Sequence, residues 1–267
     1  MITLSSTAVR ALLLGLLAGL LSGLFGIGGG AVLVPLLVLW AALPQHQAHA
    51  TSLAAIILTA AWGALTYARD GSVAFGAGLA IATGAIVGAW FGAALMHRLS
   101  ARRLRQAFGV LAVVVAAQLL IGVRTPAEGL VVVDGAAAVV GYVALGLTAG
   151  ALSALMGVGG GVIMVPAMVL LFGFTQHVAQ GTSLLIIIPT ALIGAVRHSR
   201  HGYTDWRLGA LLGVGGVLGA WIGATVALGL DGDLLRRLFG AFLLITGVRL
   251  LVGAGKRSAE PEAVEVT

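Results

Sequence analysis

Gly19-Leu-Leu-Ser-Gly-Leu-Phe-Gly-Ile-Gly-Gly-Gly-Ala-Val-Leu-Val-Pro35 reappears, 131 residues later, as Gly150-Ala-Leu-Ser-Ala-Leu-Met-Gly-Val-Gly-Gly-Gly-Val-Ile-Met-Val-Pro166. Each copy sets a glycine cluster inside a long apolar run, 11–43 in the first case and 136–174 in the second. A run of about 33 residues, rising about 1.5 Å per residue, reaches roughly 50 Å as a helix, against a hydrocarbon core of about 30 Å. Glycine costs a helix about 1 kcal/mol relative to alanine, so three in succession favour a break. The pattern predicts, in each copy, a re-entrant hairpin or a pair of half-helices, each flanking piece being short for a full crossing. Opened backbone is tolerated in a membrane only where protein or a water-filled cavity covers it, and paired breaks at related positions point to a transport site.

Composition agrees with a membrane setting. Hydrophobic residues make up 60% of the chain and charged ones 9%, with a mean hydropathy of +1.10, where a soluble domain carries about 25% charge. The other apolar runs, near 50–67, 73–96, 106–122, 181–196, 207–229 and 238–253, lack strand alternation. An all-α polytopic membrane protein is expected, and a β-barrel is excluded. The chain has no cysteine, which rules out a disulfide framework, a thiolate metal site and a redox dithiol. The net charge of +6 reads as topological, since Lys and Arg gather in cytoplasmic loops; no nucleic-acid partner is implied. Arg10 and the apolar stretch after it read as a first membrane segment rather than a removed signal.

The offset of 131 holds far beyond the opening motif. Gln45-His46 matches Gln176-His177, Thr51-Ser52-Leu53 matches Thr182-Ser183-Leu184, and Gly84, Gly88, Trp90 and Gly92 match Gly215, Gly219, Trp221 and Gly223. The chain therefore divides into a first membrane repeat (1–122), a linker (123–135), a second membrane repeat (136–253) and a disordered tail (254–267). If each long run crosses once, Lys and Arg divide nine to six between the two sides. If each enters and returns, they divide eleven to four. The positive-inside rule prefers the second, which gives an odd number of single crossings per repeat, inverted repeats and both termini in the cytoplasm. The glycine stripes at Gly84/Gly88/Gly92 and Gly215/Gly219/Gly223 lie on one helix face each, for close packing within the chain or at a dimer face.

All nine carboxylates (Asp70, Glu128, Asp134, Asp205, Asp231, Asp233, Glu260, Glu262, Glu265) sit in loops, near segment ends or in the tail. Cation sites and proton relays at membrane depth use Asp or Glu, and an intramembrane hydrolase needs a general acid or base. An interior without them suits an anion. No Lys or Arg lies deep in a run, so attraction must come from helix ends. A helix broken in the bilayer presents N–H groups and a partial positive charge at its new N-terminus, and glycines let a small anion reach the backbone. The candidate substrate residues are thus Gly28, Gly29 and Gly30, leading into a helix with Pro35, and Gly159, Gly160 and Gly161, leading into one with Pro166; both prolines are candidate helix breaks. A tight bend made only for packing is the other reading.

Thr51-Ser52 and Thr182-Ser183 open the next segments, either as N-caps or as hydroxyl donors to a bound oxyanion. Ser22 and Ser153 read as back-bonding within the helix. His49 and Gln180 hold equivalent positions just before the Thr-Ser pairs and are the coupling candidates, since histidine titrates near neutral pH. His46, His177, His198 and His201 read as interfacial, with no metal site among them. Pro189 has no counterpart at Leu58 and predicts a local break in symmetry by kinking its helix.

The paired motifs carry a resemblance. A four-helix-type unit appearing twice, opening with G-x-G-G-G-x-x-x-x-P (Gly26 to Pro35, Gly157 to Pro166) and continuing with A-x-x-T-S (Ala48 to Ser52, Ala179 to Ser183), resembles the sulfite exporter TauE/SafE family of membrane permeases. The likeness covers all but the linker and tail. It implies a carrier of the cell membrane, mostly prokaryotic, for sulfur-containing anions such as sulfite, sulfoacetate and taurine-derived sulfonates.

The expected function is a secondary transporter, an exporter of a small sulfur oxyanion, in which one repeat rocks against the other around the two glycine breaks. No nucleotide-binding motif is present, no cofactor is expected, and the chain is not read as an enzyme. Its partners are a small anion, the lipid bilayer and a further copy in a homo-oligomer. Rival readings are a passive anion channel and an intramembrane lipid-phosphate enzyme, the latter disfavoured by the carboxylate-free interior.

Overall fold

The computed structural model describes residues 4–95, 101–121, 135–156, 160–200 and 202–256. These form ten helices: α1 (Leu4–Phe25), α2 (Gly30–Trp40), α3 (Gln45–Arg69), α4 (Phe75–Leu95), α5 (Ala101–Ile121), α6 (Ala136–Met156), α7 (Gly161–Phe172), α8 (Gln176–Ser199), α9 (Trp206–Gly229) and α10 (Gly232–Lys256). There is no strand among the described residues. Five helices are long and apolar enough to cross a bilayer unaided: those over Thr7–Phe25, His46–Arg69, Ala136–Ser153, Gln176–Ser199 and Trp206–Gly229. Large apolar side chains such as Leu13, Leu79, Val140, Leu171, Val214 and Val252 face outward, as lipid-facing positions do. The expected linker lies almost entirely outside the described residues, as does the tail beyond Lys256, where α10 ends.

Each repeat supplies five helices, because its long apolar run splits into two: α1 and α2, or α6 and α7. The two pieces are unequal. α1 has 22 residues, about 33 Å, enough to cross; α2 has 11, about 16 Å. The expectation of two short pieces therefore holds only for the second. The break falls at the far end of α1 because three glycines there take left-handed backbone (Gly26 φ 69°, Gly28 φ 75°, Gly29 φ 79°), a region that side chains with a Cβ rarely adopt. The chain then doubles back. Gly29 lies beside Ala18 of α1, and Leu33 and Leu37 of α2 share an apolar cluster with Ala11, Leu14 and Ala18. The hairpin reading is the one the fold adopts.

Helix directions establish the inversion. α3 and α8 are repeat mates, yet they run antiparallel: Leu53 packs on Gly194, Gly63 on Leu184, and Tyr67 on Gln180 and Gly181. α5 and α10 do the same, Gly109 lying beside Gly247 and Leu251, and Leu120 beside Gly240. Equivalent helices pointing opposite ways require a pseudo-two-fold axis across them, and so inverted repeats within one chain. In contrast, α1 runs parallel to α9 (Gly15 on Leu212, Gly19 on Gly216, Gly23 on Ala220), and α4 parallel to α6 (Gly84 on Val143, Gly88 on Leu147). α3 also follows α9, since Ala54 meets Gly209 and Leu58 meets Gly213. With α1 and α3 pointing the same way, α2 returns between them, and the outer ends of α1 and α10 lie on one side.

The glycine stripes are therefore intramolecular contacts that join the two repeats. Main chain touches main chain: Gly215, Gly219 and Gly223 of α9 sit against the carbonyls of Leu12, Leu16 and Leu20, and Gly146 and Gly150 of α6 against those of Ile81 and Ala85. Each repeat thus lends its first helix to the other. One mixed bundle holds α1, α2, α3 and α9 around Leu14, Leu33, Leu37 and Leu212. A second holds α4, α6, α7 and α8 around Ile81, Leu145, Val165 and Ile186, with Phe239 and Leu243 of α10 against it.

Candidate functional site

The first break is wholly buried from Phe25 to Gly30. The N–H of Gly26 still reaches the carbonyl of Ser22 (2.8 Å), and Gly29 accepts from Val32 (3.1 Å) and Leu33 (2.9 Å) to start α2. Between them the amides of Gly28 and Gly29 find no main-chain acceptor among the described residues, and the first-turn amides of α2 have none by helix geometry. Gly28 lies where α3 and α8 cross at mid-length: a Cβ there would stand 3.0 Å from Ile187 and 3.4 Å from Ile56.

The second break meets the first. A Cβ on Gly161 would lie 2.6 Å from the carbonyl oxygen of Gly26, 2.7 Å from Cα of Ile27 and 3.0 Å from Oγ of Ser183. The two copies differ in detail, for Gly160 keeps right-handed backbone (φ −48°) where Gly29 is left-handed (φ 79°). Gly159 lies outside the described residues, as does Gly157. The prolines do not mark the breaks. Pro35 and Pro166 lie inside α2 and α7, because the glycines upstream end the preceding helix before either proline can act. Pro189 is likewise carried within α8, which continues to Ser199.

Neutral polar side chains surround the junction. Ser22, Ser52, Gln180, Thr182 and Ser183 are fully buried. Three of them keep groups without a hydrogen bond: Oγ of Ser22, Oγ of Ser183 and Nε2 of Gln180. Ser22 therefore does not back-bond as its helical position suggests. An unmet buried donor costs about 1–3 kcal/mol, and three such groups lie around one pair of breaks. The described carboxylates Asp70, Asp205, Asp231 and Asp233 are all exposed at helix ends, far in sequence from the break.

The threonines do a different job from the one expected. α3 and α8 begin at Gln45 and Gln176, so Thr51 and Thr182 are two turns in and are not N-caps. The cap of α8 is Thr175, whose hydroxyl accepts from Val178 (3.4 Å). Thr51 Oγ1 accepts from the N–H of Asp205 at the start of α9 (3.1 Å), and Thr182 Oγ1 from that of Ala74 at the start of α4 (2.9 Å). These are mates under the repeat, each pinning a helix N-terminus of the opposite repeat within its own mixed bundle. Thr182→Val leaves the amide of Ala74 unmet, and a loss of about 1–3 kcal/mol is expected, read as a lowered unfolding midpoint in detergent.

Ser52 donates to the carbonyl of His49 (2.8 Å). His49 packs edge-on against His198, ring centroids 5.6 Å apart. Its repeat mate Gln180 instead meets Tyr67, whose hydroxyl lies 2.9 Å from Gln180 Oε1 and 2.9 Å from the carbonyl of Gly23. Tyr67 thereby caps the broken end of α1. Tyr67 escaped the sequence reading and His198 was read only as interfacial, although the two are repeat mates at the same offset of 131; unlike residues at matched positions give no signal until their partners are seen. A separate cavity of about 370 Å³ lies between α5, α7 and α10, lined by Leu111, Val115, Gln118, Ile163, Pro166 and Leu170. Its walls are apolar, unlike the junction.

The family model described as sulfite exporter TauE/SafE matches the chain twice, over residues 3–141 and 142–266. The chain belongs to this family. Two matches in tandem agree with the two inverted units of the fold. Among relatives, a probable membrane transporter protein of Bacillus subtilis, YunE, is 29% identical over 259 residues, covering 89% of this chain and 95% of its own length. A second from that organism, YdhB, is 30% identical over 209 residues, 78% and 85% of the two chains. A probable membrane transporter protein of Xylella fastidiosa strain Temecula1 is 30% identical over 240 residues, 88% and 91% of the two. No solved structure matches. The protein is thus a multi-pass membrane transporter of the TauE/SafE family, with a small-molecule substrate.

Proposed function

We propose that this transporter exports a small sulfur-containing oxyanion, such as sulfite or an organosulfonate, by secondary transport. The observation that carries the proposal is the junction of two broken segments at the crossing of α3 and α8, ringed by buried neutral donors with unfilled hydrogen bonds. Backbone amides at Gly28–Gly30 and the start of α7 at Gly160 and Gly161, with the hydroxyls of Ser22 and Ser183 and the amide of Gln180, supply dipoles of the sign an anion needs. Ser52, Thr51 and Thr182 hold the surrounding helices in place. Gly159 is included by its place in the repeated motif. A family of sulfite exporters supplies the substrate class.

The two breaks touch, so the anion enters only when they part. This favours a carrier over an open channel. The mobile bodies are the two mixed bundles rather than the two repeats, since α1 and α4 are locked onto the opposite repeat by backbone contact. Helix directions place Arg10, Arg102, Arg103, Arg105, Arg197, Arg200, Arg207 and Arg249 toward one end and Arg69, Arg236 and Arg237 toward the other. By the positive-inside rule the first end, with both termini, is cytoplasmic.

The test is flux of radiolabelled sulfite, sulfate, thiosulfate and taurine in proteoliposomes. Ser183→Ala removes one donor to the anion and should raise the apparent KM roughly ten-fold or more, while leaving thermal stability unchanged or higher, because the hydroxyl has no partner to lose. Transport of none of the four, or a KM unmoved by Ser183→Ala, would count against the site.

A further inference from the structure

The two ends of the α3–α8 pair are closed by different chemistry at positions the repeat makes equivalent. At one end Tyr67 meets Gln180, oxygen to oxygen at 2.9 Å. At the other, the same two positions hold His198 and His49, with ring centroids 5.6 Å apart and planes at 80°. Both rings are half-buried. We infer that His49 and His198 form a proton-binding site that couples transport to the pH on their side of the membrane. The inference rests on the transport reading above and deepens it by naming the coupled ion.

The physical case is one of contrast. A phenol and a carboxamide do not change charge near neutral pH, so the Tyr67–Gln180 closure is indifferent to protons. Imidazole is the side chain whose ordinary range straddles pH 5 to 8. Two neutral rings pack edge to face, whereas two imidazolium ions at this separation repel, more strongly where water is scarce. Protonation therefore opens this end and leaves the other closed, the asymmetry that directional coupling requires. The link to the junction is short: Ser52, one turn deeper on α3, holds the carbonyl of His49.

The charged and titratable groups at this end bear on the site. They are His46 on α3, Arg197 on α8 and Arg200 at its C-cap, Tyr203 and Asp205 before α9, Arg207 on α9, Arg10 at the start of α1, and, at the same end of α5 and α10, Arg102, Arg103, Arg105 and Arg249; the described parts of α2, α4 and α7 contribute none. Several are committed elsewhere. Arg197 lies over the ring of Trp90 (5.1 Å), His46 packs against Tyr203 (6.0 Å), and Asp205 caps α9 through Leu208 (2.9 Å).

The double variant H49Q/H198Y installs, at this end, the pair that the fold already accepts at the other. The chain has no cysteine, so Ile56→Cys, beside Gly28, gives a single reporter thiol. Its labelling rate by a membrane-impermeant maleimide is measured at pH 5.5 and pH 8 with and without H49Q/H198Y, and the ratio of the two proteins at each pH cancels the ionisation of the thiol itself. The I56C protein with its native histidines should label about ten times faster than the H49Q/H198Y form at pH 5.5 and equally at pH 8. In parallel, proteoliposomes with native Ile56 are loaded with radiolabelled sulfoacetate, whose charge is constant over this range. The native protein should accumulate it when a pH gradient is imposed, and H49Q/H198Y should exchange it without accumulation. A labelling ratio equal at both pH values, or accumulation retained by H49Q/H198Y, overturns the histidine site. Absence of exchange of every anion tested overturns the transport reading instead, and the labelling result then stands alone.

Discussion

Gly161→Ala is expected to abolish transport, and Gly160→Ala to leave it within about two-fold of the native rate. The two residues are neighbours in one triplet, but their surroundings differ. A Cβ on Gly161 would stand 2.6 Å from the carbonyl oxygen of Gly26 and 2.7 Å from Cα of Ile27. Both are backbone atoms of the opposing break, which cannot step aside without moving a helix end. Overpacking of this kind costs about 1–3 kcal/mol, applied directly to the surface where the bundles must close. Gly160 has right-handed backbone, and its nearest neighbour at 2.7 Å is the terminal methyl of Met164, a flexible group that can rotate away. Flux in proteoliposomes, beside a size-exclusion profile showing that both proteins remain folded, separates the two. Equal loss in both, or full activity in Gly161→Ala, would mean that the contact between breaks has no part in transport.

Gly19→Leu should be the most destabilising single change in the seam between the repeats. Gly19 of α1 faces the backbone of Gly216 on α9, too close for any side chain, and neighbouring contacts at Gly15 and Gly23 repeat the arrangement one turn away on each side. A leucine there must force the helices apart along several turns, at a cost above about 3 kcal/mol. That is a large part of the total stability of a typical protein, about 5–15 kcal/mol. The expected result is loss of the monodisperse peak in detergent, or a fall of many degrees in the unfolding midpoint. Gly76→Leu is the control, since that position is exposed with nothing within 4 Å, and it should behave as the native chain.

What could be read before any coordinates was whatever depends on local backbone or on like residues repeating. The break at Gly28–Gly30 was visible because clustered glycine is costly in a helix, and the inversion because basic residues sort by side. The position of the break within its run was not visible. Apolar residues of α1 and α2 look alike, and only the left-handed backbone at Gly26, Gly28 and Gly29 shows that α1 is complete before the chain turns. Thr51 and Thr182 were seen as a matched pair, but their partners Asp205 and Ala74 belong to helices that meet them only through the interleaving of the repeats. Pairings such as His49 with His198 depend on the antiparallel register of α3 against α8, which no short-range pattern encodes.

The parallel contact of α1 with α9 has a bearing on how the chain is made. α1 leaves the ribosome well before the segment that receives it, which lies some two hundred residues downstream. During synthesis the glycine face of α1 can at first meet only lipid or its own hairpin partner, and its lasting neighbour arrives much later. Contacts so distant along a chain form slowly, and unfinished intermediates expose surfaces that quality-control machinery recognises. Nascent chains arrested before α9 should therefore be degraded by membrane proteases, and those arrested after it should survive, so that maturation waits on the synthesis of α9.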